Sequence, residues 1–127
     1  MKRILVIDDD KLFQRAIAFT LKQNNYDVIT ADDAFTALDL IDRYKVDGVV
    51  SDIMMPDISG LSLLSLLKKF YYNRIPVLIV SSIGKEKAEP ISLSLGAYAF
   101  MPKPIDFEEL IKNVDSMSSL PHPGPIA

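Results

Sequence analysis

Arg3-Ile4-Leu5-Val6-Ile7-Asp8-Asp9-Asp10 sets the reading of the whole chain. Four branched apolar residues run straight into three carboxylates, with no polar residue among them to mark a solvent-facing side. A strand covered on both faces, as in a parallel sheet, reads this way; a half-exposed strand would alternate. Further short runs, rich in Val and Ile, recur at residues 27–31, 48–51, 77–81 and 98–101.

Helical periodicity fills the gaps between these runs. Phe13, Ala16, Ile17, Thr20 and Leu21 share one face of a helix over roughly residues 11–24. Ala34, Ala37, Leu38 and Ile41 do the same for a second helix, and a leucine-dense third runs from about residue 60 to 70. Phe107, Leu110, Ile111 and Val114 mark a fifth, opened by Asp106 with Glu109 three residues later, in the manner of a capping box. Pro90 belongs in the first turn of a fourth helix or breaks it, so only a short helix over 91–95 is expected there. Five βα units result, and right-handed crossovers make them an α/β fold: a parallel, doubly wound sheet with helices on both faces.

At 127 residues the chain has room for one domain, expected over 1–119. With no cysteine it offers neither a disulfide nor a thiolate metal site. Fourteen Lys+Arg against 17 Asp+Glu leave a charge of −3, too acidic for a dedicated DNA-binding module, so direct nucleic-acid binding is not expected. Met1-Lys2-Arg3 is followed by only four apolar residues, too few for a signal core, and no stretch approaches the length of a membrane span. A cytoplasmic protein is expected. Residues 120–127 differ from the rest: Pro121, Pro123 and Pro125 lie beside Gly124, as in a tail or the start of a linker.

In open parallel sheets, ligands bind beyond the carboxyl ends of the strands, where strand order reverses. Here the first strand ends in Asp8-Asp9-Asp10, the third in Asp52, the fourth in Ser81-Ser82, and the fifth leads into Lys103. Each has a plain structural explanation: a turn or helix cap for the aspartates, local backbone hydrogen bonds for the serines, a solvated charge for the lysine. Their arrival together at one rim weighs against four separate explanations. Asp32-Asp33, after the second strand, reads instead as a helix cap. Clustered carboxylates repel unless a cation joins them, and oxygen ligands of this kind suit Mg²⁺. A carboxylate beside such an ion and a lysine can attack a phosphoryl group, with Ser81 donating a hydrogen bond.

These motifs resemble the response-regulator receiver domains of two-component systems. The matching pieces are Ile4-Leu5-Val6-Ile7-Asp8-Asp9, then Asp52-Ile53-Met54-Met55-Pro56-Asp57-Ile58-Ser59-Gly60, Pro76-Val77-Leu78-Ile79-Val80-Ser81, and Gly96-Ala97 to Lys103-Pro104, covering residues 2–118 in order. The resemblance implies strand order 2-1-3-4-5, as in flavodoxin-like folds. It implies Asp52 as phosphoacceptor and Mg²⁺ held by Asp9 directly, by Asp8 largely through water, by Asp52, and by the backbone carbonyl of Met54. Lys103, ahead of a cis Lys103–Pro104 bond, would pair with a phosphoryl oxygen. Ser81 would take another and shift on phosphorylation, with Phe100 as the switch aromatic. The output surface would be that of the fourth helix, fifth strand and fifth helix.

A signalling switch rather than an enzyme is therefore expected. Its implied partners are a histidine kinase or histidine phosphotransfer protein, since no ATP-binding loop motif is present and the one histidine, His122, sits among the terminal prolines. Downstream it would act on a separate protein or a C-terminal output domain, as a monomer or a phosphorylation-dependent dimer. Pro102 stiffens the approach to Lys103, Pro90 alters the fourth helix, and Phe100 lacks the hydroxyl of a tyrosine. Apolar Met54 and Ile83, two residues beyond Asp52 and Ser81, predict slow loss of the phosphoryl group. Phe70-Tyr71-Tyr72 is read as core packing and a helix end, and Lys85-Glu86-Lys87 as a solvated helix approach. Two rivals stand beside this reading. One is a pseudo-receiver that binds without taking phosphate. The other is a haloacid-dehalogenase-like phosphatase using Asp8 as nucleophile, against which stand the short chain and the lack of a late acidic pair after Lys103.

Overall fold

The computed structural model describes residues 1–70 and 75–120. The expectations placed on Tyr71, Tyr72, His122 and the terminal prolines therefore lie outside the described residues. Five parallel strands form one sheet: β1 (Arg3–Ile7), β2 (Asp27–Ala31), β3 (Gly48–Asp52), β4 (Val77–Ser81) and β5 (Ala99–Pro102). Their order is β2-β1-β3-β4-β5, as the resemblance implies. The helices are α1 (Lys11–Gln23), α2 (Ala34–Arg43), α3 (Gly60–Phe70), α4 (Lys85–Ser94) and α5 (Phe107–Ser118).

Alternating side chains of the sheet feed two cores. Leu5, Ile7, Val49, Val77 and Ile79 pack with α2, α3 and Ala88 of α4. Ile4, Val6, Val50, Leu78 and Val80 pack with α1 and α5. Every residue of β3 and β4 is buried, which is why these runs show no polar alternation.

Caps set the helix starts. Asp10 accepts from the N–H groups of Leu12 and Phe13 to open α1, Asp33 accepts from Thr36 to open α2, and Asp106 accepts from Glu108 and Glu109 to open α5.

Three expectations need correction. Phe70 ends α3 as read, but at 60% exposure it is not part of the core. The fourth helix is not a short turn over 91–95: α4 runs through Pro90. Pro90 forfeits one intrahelical bond, to the Glu86 carbonyl, but both residues are exposed and water can serve that group. At the far end the helix is firmly stopped. Gly96, at φ +102°, donates to Leu93 O and Ala97 donates to Ser92 O, a Schellman closure that favours glycine. The fifth strand is also displaced one residue from 98–101, and its end departs from a regular ladder. Tyr98 N–H bonds Val77 O at 2.8 Å, and strand alternation would next use residues 100 and 102. Proline has no N–H at 102, so the Lys103 N–H takes the Ser81 carbonyl instead, at 2.9 Å.

Candidate functional site

Asp8, at the carboxyl end of β1, is 1% exposed. One carboxylate oxygen accepts from the Asp10 N–H at 2.9 Å and the other from Lys103 Nζ at 2.9 Å. Asp52 ends the adjacent β3, is buried, and accepts from the Ile53 N–H at 2.8 Å and from Lys103 Nζ at 3.4 Å. Asp9 is exposed beside them. One carboxylate oxygen from each of Asp8, Asp9 and Asp52 lies within 4.8 Å of the other two. The tri-aspartate stretch thus divides: Asp10 is a helix cap, while Asp8 and Asp9 join Asp52.

Three carboxylates against one ammonium leave an excess of negative charge. Burial pushes the Asp8 carboxyl above its usual range; the bonds from Lys103 and Asp10 oppose this, and the neighbouring Asp52 charge adds to it. Burial alone would lower Lys103, but its bond to Asp8 and the charges of both aspartates outweigh that and hold the ammonium protonated above its ordinary value. Hard oxygen donors, an opening at Asp9 and uncompensated negative charge together fit a divalent cation of the Mg²⁺ kind.

The surrounding chain supports this rim closely. An added Cβ at Gly60 would lie 1.9 Å from the Asp52 carbonyl oxygen, so only glycine lets α3 begin against β3. Buried Gln14 of α1 places Nε2 2.9 Å from Asp8 O, 3.0 Å from Ala31 O and 2.9 Å from Asp32 Oδ1, tying the ends of β1 and β2 together. Asp57, five residues past Asp52, accepts from Ala34 N–H at 3.1 Å and Phe35 N–H at 2.9 Å, joining the β3–α3 loop to the start of α2. Sequence reading gave no role to Gln14 or Asp57. A polar residue on the buried face of α1 was the available signal for the first.

Ser81 ends β4, buried, with Oγ accepting from the Ile83 N–H at 3.0 Å. Ser82 is exposed. Phe100 is not at the rim: it is 7% exposed, in the core shared with Ala88 of α4. The Met54 side chain is largely exposed. The Lys103–Pro104 peptide bond is cis. Lys103 Nζ also lies 4.0 Å from the centroid of the Phe13 ring.

A sequence profile for the response regulator receiver domain matches residues 4–115. Response regulator MprA of Mycobacterium sp. strain KMS is 34% identical over 125 residues, 97% of this chain and 54% of that protein. Transcriptional regulatory protein CpxR of Escherichia coli K12 is 31% identical over 122 residues, 96% of this chain and 51% of that one. The chain thus spans about half the length of these curated relatives. Among solved structures, the receiver domain of Francisella response regulator 1452 is similar at a TM-score of 0.87 and 33% identity, covering 93% of this chain and 97% of that one. Response regulator protein TrrA of Thermotoga maritima, in complex with Mg²⁺-BeF, is similar at 0.82 and 27% identity, covering 92% and 99%.

Proposed function

Because this chain belongs to the response-regulator receiver domain family, we propose that it is a switch set by phosphorylation of Asp52. The observation that carries this is the convergence of Asp8, Asp9 and Asp52 at one rim, with the Lys103 ammonium bonded to two of them. The phosphoryl group comes from a phosphohistidine of a partner kinase or phosphotransfer protein. An Asp52 carboxylate oxygen attacks phosphorus, the O–P bond forms, the P–N bond breaks, and the departing imidazole nitrogen takes up a proton. Asp8, Asp9, Asp52 and the Met54 carbonyl would hold Mg²⁺, which when bound neutralises charge on the phosphoryl oxygens. Lys103 would pair with a phosphoryl oxygen, and the Ser81 hydroxyl would turn from its Ile83 contact to bond another.

Output follows from where packing is thinnest. Of α4's residues only Ala88 and Ser92 are buried, while Ile91, Leu93 and the neighbouring Tyr98 are exposed. Movement of Ser81 toward the phosphoryl group draws the β4–α4 loop, and α4 follows at low cost. Phe100 is already inside the core, so its part is a repacking rather than an entry from solvent. The α4–β5–α5 surface then changes its preference for a downstream protein or an attached output domain. We assign the switch to residues 1–119, with 120–127 as tail or linker, no catalytic turnover of its own beyond accepting and losing phosphate, and a cytoplasmic setting. Among the described residues no helix is long and apolar enough to cross a membrane.

Intact mass after incubation with Mg²⁺ and acetyl phosphate tests this. The expected result is a gain of one phosphoryl group that vanishes with EDTA and in Asp52→Ala. No gain by protein shown to be folded would leave a module that signals by binding alone. Steady phosphate release surviving Asp52→Ala would restore the phosphatase reading.

A further inference from the structure

Lys103 has a third neighbour besides its two carboxylates. Its Nζ stands 2.9 Å from Asp8 and 3.4 Å from Asp52, and 4.0 Å from the centroid of the Phe13 ring. Phe13 lies in the first turn of α1, three residues after the Asp10 cap to which its N–H donates, partly buried against the α1–α5 core. Filling that position would take only an aliphatic residue. A ring adds something an aliphatic chain lacks: a face of negative potential, to which a cation within about 6 Å of the centroid is attracted. The Lys103 side chain is only 17% exposed, so water screens the attraction less than it would at an open surface.

We infer that Phe13 is a positioning residue for Lys103, its ring face holding the ammonium over the gap between Asp8 and Asp52. Both carboxylate contacts depend on charges that change as the site works: a bound cation competes for Asp8, and phosphorylation alters Asp52. The ring keeps the same charge distribution throughout. It therefore keeps the ammonium directed into the site while its ionic partners are being exchanged. This rests on Lys103 being a phosphoryl partner.

The test replaces Phe13 by phenylalanines carrying one, two and three ring fluorines, which weaken the negative face with little change of volume. Two quantities are measured: the affinity for beryllofluoride in the presence of Mg²⁺, and the proton shifts of the Lys103 side chain without either. The ε-methylene signals of Lys103 are expected upfield in the unsubstituted protein, displaced by the ring current, and the displacement is lost in Phe13→Leu. Affinity is expected to fall stepwise along the series, reaching roughly threefold to tenfold weaker at three fluorines. Phe13→Tyr should match the unsubstituted protein. Equal affinity across the series, or Lys103 signals at the position of a solvated lysine, would overturn the role of Phe13. Unsubstituted protein that takes up no beryllofluoride would instead overturn the phosphoryl reading of Lys103. The ring-current shift, measured without any phosphoryl analogue, still decides whether the ring holds the ammonium.

Discussion

Asp8 and Asp10 stand two residues apart and do unlike things: one is buried against an ammonium, the other caps α1. Composition cannot separate them, because an aspartate suits both tasks. Position at a strand end drew attention to the whole stretch Asp8–Asp10 together with Asp52, Ser81-Ser82 and Lys103; only the resemblance singled out Asp8, Asp9 and Ser81 within it. Phe13 was read as one more apolar residue on the α1 stripe, since periodicity reports that a side chain faces inward and not what it meets there. Gly60 was legible as a helix start, while its contact with the Asp52 carbonyl appears only in three dimensions. Ile83, partly buried against the core and donating its N–H to Ser81 Oγ, puts no polar side-chain atom near the rim. A carboxylate there would orient an attacking water. Ile83→Glu is expected to shorten the phosphoryl half-life by roughly tenfold, below the usual range for a positioned proton acceptor. The decay of phosphorylated protein, followed by intact mass, checks this; an equal half-life would remove Ile83 from the control of lifetime.

At the scale of elements, caps and apolar runs were legible because they act locally. Asp33 and Asp106 cap where expected, and α3 spans the 60–70 expected of it. The length of α4 was not legible, because its survival across Pro90 depends on solvent exposure and on the closure at Gly96, neither visible in a local pattern. Nor was the second anchor on α2. Burial is the largest single influence on the Asp57 carboxyl and pushes it up, but backbone N–H groups, those of Phe35, Ile58 and Ala34 among them, together outweigh it and hold the carboxyl below the usual carboxylate range. A carboxyl lowered in the folded state lends stability above its unfolded value, and that stability is lost as pH falls through the folded one. Asp57→Ala is therefore expected to cost about 1 kcal/mol at neutral pH, with the difference from the parent shrinking below about pH 4. Urea unfolding across pH measures it. A difference that stayed constant into acid would mean the carboxylate charge contributes nothing to holding α2.

Taken as a whole, the molecule sets two apolar cores against one acidic rim. The cores favour a single arrangement, while the rim gathers like charges that the unfolded chain would keep apart. A cation bound only by the folded rim should add stability by mass action: at tenfold over its dissociation constant, about 1.4 kcal/mol. Thermal or urea unfolding with and without Mg²⁺ should show this gain, and Asp9→Asn should lose most of it. Equal stability in both conditions would mean the cluster holds no Mg²⁺. The order of the sheet was legible through resemblance, the burial of β3 and β4 through composition. The end of β5 was legible in neither. There the Ser81 carbonyl faces two successive residues, of which only Lys103 can donate. Any other residue at 102 would bring a competing N–H, and the strand could finish in either of two alignments with the lysine backbone set differently in each. Proline at 102 abolishes that ambiguity, selecting one alignment by withholding a donor rather than by adding a contact.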